Sequence, residues 1–164
     1  MAGALEGTPA AKPRLSEQAN APRIGRARFI GHAIGYGLIV ALIGLGLGLA
    51  GLRQTVTIAG QSPPMSFTTL QPIPAIILAA VFYLALLDLV IRRRHDRNRS
   101  GSDGAIGLAL AFAATVLNVV GLFSAAALWL DGAVALVALY LLVVCAILPG
   151  TDGPNRYGAD PRSF

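Results

Sequence analysis

From Ala105 to Leu148 the chain runs for 44 residues with a single charged side chain, Asp131. A helix crossing about 30 Å of hydrocarbon needs roughly 20 apolar residues, so this run is too long for one crossing and must fold back on itself. Two shorter runs precede it, Ile30 to Leu52 and Ile73 to Ile91, the second free of charge until Asp88 near its end. The long run is interrupted by Ser124, Trp129 and the turn-forming pair Asp131-Gly132. It divides into a third span, Ala105 to Ala125, and a fourth, about Trp129 to Leu148, with Trp129 suited to an interfacial belt. Open sheets are barred from lipid by their unpaired backbone groups, and barrel strands would alternate polar with apolar residues, which these runs do not. The expected fold is an all-α membrane protein with four transmembrane helices. Residues 1–28 are read as a disordered cytoplasmic tail, 29–148 as the transmembrane domain and 149–164 as a cytoplasmic C-terminal tail.

Composition agrees. Of the 164 residues 55% are hydrophobic and only 13% charged, about half the usual charged share. One Cys excludes an intrachain disulfide scaffold. The first 28 residues, with Pro9, Pro13 and Pro22 among scattered Lys and Arg, lack the apolar core of a signal peptide, so the first span is expected to be retained.

Orientation follows from the cations. Twelve of the thirteen Lys and Arg fall before the first span, between the second and third, or after the fourth; Arg53 alone lies on the other side. The positive-inside rule therefore places both termini and the central loop in the cytoplasm. Insertion alone accounts for the net charge of +5 without any nucleic acid, although basic loops also attract anionic lipid at about 1 kcal/mol per residue.

Helix association in lipid relies on close backbone approach and interhelical hydrogen bonds. Small residues recur every three or four positions at Ala33, Gly37, Ala41, Gly44, Gly48 and Gly51 in the first span, and at Gly107, Ala111, Ala114, Gly121 and Ala125 around Asn118 in the third. Both faces are expected packing seams, and the first could equally serve homo-oligomerisation. Gly44, Gly46 and Gly48 do not make a dinucleotide loop, because no strand precedes them and no acidic residue follows at the required distance. The intramembrane polar residues are His32, Asp88 and Asn118, each a functional candidate by its depth. His32 and Asp88 sit at similar depth and could pair, or Asp88 could bond Arg92 one turn later. Asn118 is read as interhelical glue, and Cys145 as a small buried hydrophobe. The loop from Arg53 to Gln71 either forms a hairpin or stays irregular.

The loop Arg92 to Gly101, with His95 and Asp96 inside an arginine run, is the most distinctive segment. Its cations complement the C-terminal pole of the second helix, and Ser100, Ser102 and Asp103 offer N-caps for the third. Three patches resemble the bacterial inner-membrane proteins grouped as domain of unknown function 805. These are Gly25-Arg26-Ala27-Arg28-Phe29 before the first span; Arg92, Arg93, His95, Asp96, Ser100 and Gly101 in the loop; and the tail Pro149-Gly150-Thr151, Gly153-Pro154-Asn155-Arg156-Tyr157-Gly158. Arg94 replaces a usual apolar residue and Ser102 a usual aromatic, which implies a loop less firmly anchored at the interface; Ala159 replaces a usual Pro. The resemblance implies a small multi-pass inner-membrane protein, with no known activity, cofactor or catalytic residue.

The leading functional reading is a non-enzymatic membrane scaffold or binding protein. Arg26, Arg28, Arg92, Arg93, His95, Asp96, Asn155 and Arg156 would converge on one face around an anionic group such as a lipid phosphate, for which the planar guanidinium fork is suited. The other reading of the same residues is that the tail folds back and hydrogen-bonds the loop, with Asn155 and Tyr157 completing a turn. A small oligomeric transporter or channel is the alternative function; its polar groups are sparse, and no transporter-type repeat is evident. An enzyme is not expected: two His are too few for a metal site, and Cys145 has no neighbouring base. No cofactor or metal is expected, and membrane lipids are the expected partners.

Overall fold

The computed structural model describes residues 23–58, 65–121 and 127–162. Helix α1 spans Arg26–Leu49, α2 Pro72–Asp96, α3 Ser102–Val119 and α4 Ala127–Leu141, which continues as a π-helical turn over Leu142–Ile147. Strands β1 (Arg53–Ile58) and β2 (Met65–Leu70) form an antiparallel hairpin between α1 and α2, with Val56 opposite Phe67. Four helical segments are long and apolar enough to cross a membrane: Arg26–Leu49, Pro72–Asp96, Ser102–Val119 and Trp129–Ile147. The expected count of four is therefore shown, with a short hairpin added to an otherwise helical chain.

Helix ends follow local chemistry. Past α1, Gly51 adopts φ +90 and the Leu52 amide bonds the Leu47 carbonyl at 3.0 Å, closing the last turn in a Schellman motif. Asn98 takes the same left-handed role after α2, with φ +57 and the Arg99 amide on the Arg94 carbonyl at 2.9 Å. Pro72 opens α2, where its missing amide hydrogen is not needed.

Several boundaries differ from expectation. Helix α1 begins at Arg26, inside the segment read as tail; residues 1–22 of that segment lie outside the described residues. Helix α3 begins at Ser102 and ends at Val119, short of Ala125, which lies outside the described residues together with Ser124. Its N-cap is Gly101 at φ +82, with no side-chain cap, while the Ser100 and Ser102 hydroxyls bond each other at 3.0 Å. Glycine is required there: a Cβ would lie 3.1 Å from the Ile91 Cα. Asp131 and Gly132 lie inside α4 rather than in a turn, and Asp131 Oδ1 accepts from Asn118 Nδ2 of α3.

The third-span seam forms over Gly107, Ala111 and Ala114, while Gly121 meets nothing within 4 Å and Ala125 lies outside the described residues. Ala111 and Ala114 are buried, Gly107 meets Val137, and Gly104 lies so close to Val90 that a Cβ has no room. Only part of the first-span seam forms. Ala33 packs on the core and Gly44 lies against Leu78 and Leu70, but Gly37, Gly48 and Gly51 meet nothing within 4 Å. The buried core of Ile24, Phe29, Leu89, Val90, Leu108, Val144 and Cys145 gathers near one end of the bundle. Elsewhere residues such as Leu42, Leu84, Leu110 and Leu136 face outward, as lipid-facing residues do. The buried end is the one that carries the arginines.

Candidate functional site

Three elements meet at that end: the residues leading into α1, the last turn of α2, and the segment after α4. Asp96 closes α2 and is 3% exposed, with Arg23 at 2% and Arg93 at 1% packed around it. Arg23 Nη2 and Nε donate to Asp96 Oδ1 at 3.0 and 3.3 Å, and Arg93 Nη1 donates to Oδ2. Burying two cations and an anion is costly unless every group is hydrogen-bonded. The tail supplies what is missing. Arg23 Nη1 donates to the carbonyls of Gly153 and Gly158 at 2.9 and 2.8 Å, and Nη2 to the Thr151 carbonyl at 3.1 Å. Arg93 donates from Nε to the Cys145 carbonyl at 2.8 Å and from Nη2 to the Leu148 carbonyl at 2.7 Å.

The end of α4 depends on these arginines. The last carbonyls of a helix have no intrahelical partner. Here Val144, Cys145, Ile147 and Leu148 offer theirs to Arg97, Arg93, Arg26 and Arg93 in turn. Guanidiniums from α1 and from the end of α2 thus cap a π-helical turn and place positive charge at its negative pole.

Beyond α4 the tail turns back across the end of α2. Thr151 uses both its amide, at 2.9 Å, and its hydroxyl, at 2.8 Å, to hold the Asp96 carbonyl. Asn155 Nδ2 donates to the His95 carbonyl at 3.0 Å, and its backbone pairs with Gly158 in both directions at 3.0 Å. The Tyr157 ring stacks on His95 at 3.9 Å with planes 8° apart, and the Arg156 guanidinium lies over the Tyr157 ring at 4.7 Å. Gly150 is required for this closure, since a Cβ there would run into the Asp96 carboxylate. Outside the buried cluster, Arg162 holds Asp152 at 2.5 Å and Asp160 at 2.8 Å. Hydrogen bonds from the Arg162 side chain and from the Arg162 and Gly153 amides hold Asp160 well below the usual carboxylate range, and the two aspartates raise Arg162 in return.

A cavity of about 100 Å³ remains beside the cluster, lined by Arg26, Arg93, Arg162, Asp96, Gly25 and Gly150 among others. Gly25 caps α1 without a side chain, so the unpaired amides of the first turn add to the positive field there. Arg93 is tied to Asp96 and Arg162 to Asp152 and Asp160, while Arg26 has no carboxylate partner among the described residues and so is the guanidinium best suited here to a small oxyanion.

Of the residues singled out from sequence, Arg26, Arg93, His95, Asp96, Asn155 and Arg156 come together at this end. Arg92 instead bonds Asp88 at 2.9 Å, and the Arg28 carbonyl is engaged by His32 Nδ1 at 2.6 Å, so His32 and Asp88 each take a local partner. Asn118 Nδ2 donates to Asp131 Oδ1 of α4 at 2.6 Å, an interhelical bond far along the bundle from the arginines. Arg94, the departure from the family pattern, is anchored to Asp103 through Nε at 3.1 Å and Nη2 at 2.5 Å, and Tyr140 donates to the same carboxylate. Two contributors went unmarked in the sequence. Arg23 stood as one cation among five ahead of the first span, and Arg162 as one of two after the fourth; neither has a local signal that separates it from its neighbours.

No curated protein and no solved structure matches the chain. The model of the family described as "Protein of unknown function (DUF805)" matches residues 20–159. That range carries the four helices, the arginine cluster around Asp96 and the returning tail as far as Gly158, and so the chain belongs to this family.

Proposed function

We propose that this multi-pass membrane protein is a non-enzymatic lipid-binding scaffold of the bacterial inner membrane. Its arginine-rich end would face the cytoplasm and hold the phosphate of an anionic headgroup. The observation that carries the reading is the cavity beside Asp96, where Arg26, Arg93 and Arg162 converge. Charge supports it: Arg26, Arg97, Arg99 and Arg156 have no carboxylate partner among the described residues. Such cations at a membrane surface attract anionic headgroups by about 1 kcal/mol each. Positioned guanidiniums add direction, because they donate paired hydrogen bonds.

The geometry of His95 and Asp96 favours binding over catalysis. The His95 ring lies flat on Tyr157, and both oxygens of Asp96 accept from arginine.

The test is lipid phosphorus carried through purification. The wild-type chain, washed in neutral detergent, is expected to retain anionic phospholipid, and the double variant Arg26→Gln, Arg162→Gln to lose most of it while eluting as the same species. Equal retention by both overturns the reading.

A further inference from the structure

A larger cavity, about 300 Å³, opens between the four helices near the same end. Phe29 of α1, Leu86 and Val90 of α2, Leu108 of α3 and Leu142 at the start of the π-helical turn line it. It continues to Phe82 and Val134. From Val90 to Phe82 is eight residues of α2, about 12 Å at 1.5 Å per residue, so the cavity is elongated along the bundle. Its lining is apolar, and the Tyr83 hydroxyl at its wall is already bonded to Thr115 at 3.1 Å. Such a space is sized for a ligand and offers it no polar partner inside.

The polar partner is at the mouth. Arg26 lies one turn before Phe29 and therefore on the same face of α1. Its Nη1 reaches the Ile147 carbonyl at 3.2 Å, beside Ala146, which lines the apolar cavity. Arg26 also lines the small arginine cavity described above. The arginine cavity, lined by Arg26, thus lies one helical turn from the apolar cavity, lined by Phe29, in a helical segment long and apolar enough to cross a bilayer. Charge complementarity at one end and an elongated apolar groove behind it fit one amphiphile.

We infer that the apolar cavity holds an acyl chain of a single anionic phospholipid whose phosphate lies at Arg26. This rests on the anion reading above and adds to it the second half of the ligand. The occupant is a resident lipid, held inside the bundle and not merely drawn to its surface.

The experiment uses the full chain in bilayer discs containing phosphatidylglycerol with a photoreactive group midway along one acyl chain, and separately the phosphatidylcholine analogue. After irradiation, adducts are mapped by mass spectrometry. The inference predicts phosphatidylglycerol adducts concentrated on Leu86, Leu108 and Val137, at least fivefold over the outward-facing Leu84, Leu110 and Leu136. Phosphatidylcholine should not reproduce that ratio. Ala138→Phe, which projects a ring into the cavity, is expected to abolish the internal adducts and to lower, without abolishing, retention of anionic lipid phosphorus. Adducts spread evenly over inner and outer residues overturn the acyl-chain inference while leaving the anion reading intact. Inner adducts of equal yield with both lipids overturn the anion reading. A lipid-free dimer, with the cavity shielded by a second copy, overturns the acyl-chain inference.

Discussion

Arg23 Nη2 lies 3.0 Å from Asp96 Oδ1, joining residues 73 positions apart, with neither side chain more than 5% exposed. This pair ties the entry to the first span to the exit from the second. Arg93 completes the arrangement from the other side of the same carboxylate. Removing one member of a buried ionic group leaves charge unmatched, at about 3–5 kcal/mol. Asp96→Asn is therefore expected to lower the thermal unfolding midpoint in detergent substantially and to expose the tail to protease near Tyr157. Arg23→Gln should act in the same direction. The double variant should lose less than the two single losses combined, because the groups are coupled.

Gly150 touches the same carboxylate through space that only a hydrogen can occupy. Gly150→Ala is expected to destabilise by about 1–3 kcal/mol, the range for overpacking, and to loosen the tail. Gly37→Ala, in a helix and facing nothing within 4 Å, should be neutral or slightly stabilising. Unfolding of the two variants side by side measures the contrast.

Asn118 and Asp131 join α3 to α4 at 2.6 Å, away from the arginine cluster. Interhelical polar contacts in membranes average about 0.6 kcal/mol. Asn118→Leu should accordingly cost less than the Asp96 variant and leave lipid retention unchanged. Loss of lipid in this variant would show that the two ends of the bundle are coupled.

The tail turn has its own pH response. Asp160 is held below the ordinary carboxylate range by Arg162 and two backbone amides, so its folded form binds protons less readily than the unfolded one. The stability this confers is fully present above the unfolded value, about 3.9, and is lost as pH falls through the depressed folded value. Hydrogen exchange at Asn155 and Gly158 should stay slow relative to the intrinsic rate from neutral pH down to about 4 and accelerate only below it. Asp160→Asn should weaken protection at neutral pH and remove the acid dependence.

Topology is tested independently. Ser66→Cys lies in the hairpin and Ser100→Cys at the arginine-rich end, both exposed. An impermeant maleimide added to intact cells is expected to label the first and to reach the second only after the membrane is opened. The reverse pattern would place the arginines outside.

The sequence by itself determined the number of spans and the end of the bundle that gathers the cations; it left Asp88 open between His32 and Arg92, and the structure pairs it with Arg92. Hydrocarbon thickness and helical spacing act over one segment, so the residues within that segment reveal them. The small-residue pattern was half informative: it marked Ala111 and Ala114 correctly but could not tell that much of the α1 stripe stays open, since periodicity identifies a face without naming its neighbour. The convergence of the loop and tail motifs was legible as two adjoining patches, though not the atoms they exchange. Only the tertiary structure decided that Arg23 answers Asp96, that arginines cap the carbonyls ending α4, and that Gly150 must lack a side chain. Arginines differ little in their own local signals; what separates a buried ion-pair partner from a solvated cation is the packing of distant helices that removes water from one and leaves it around the other.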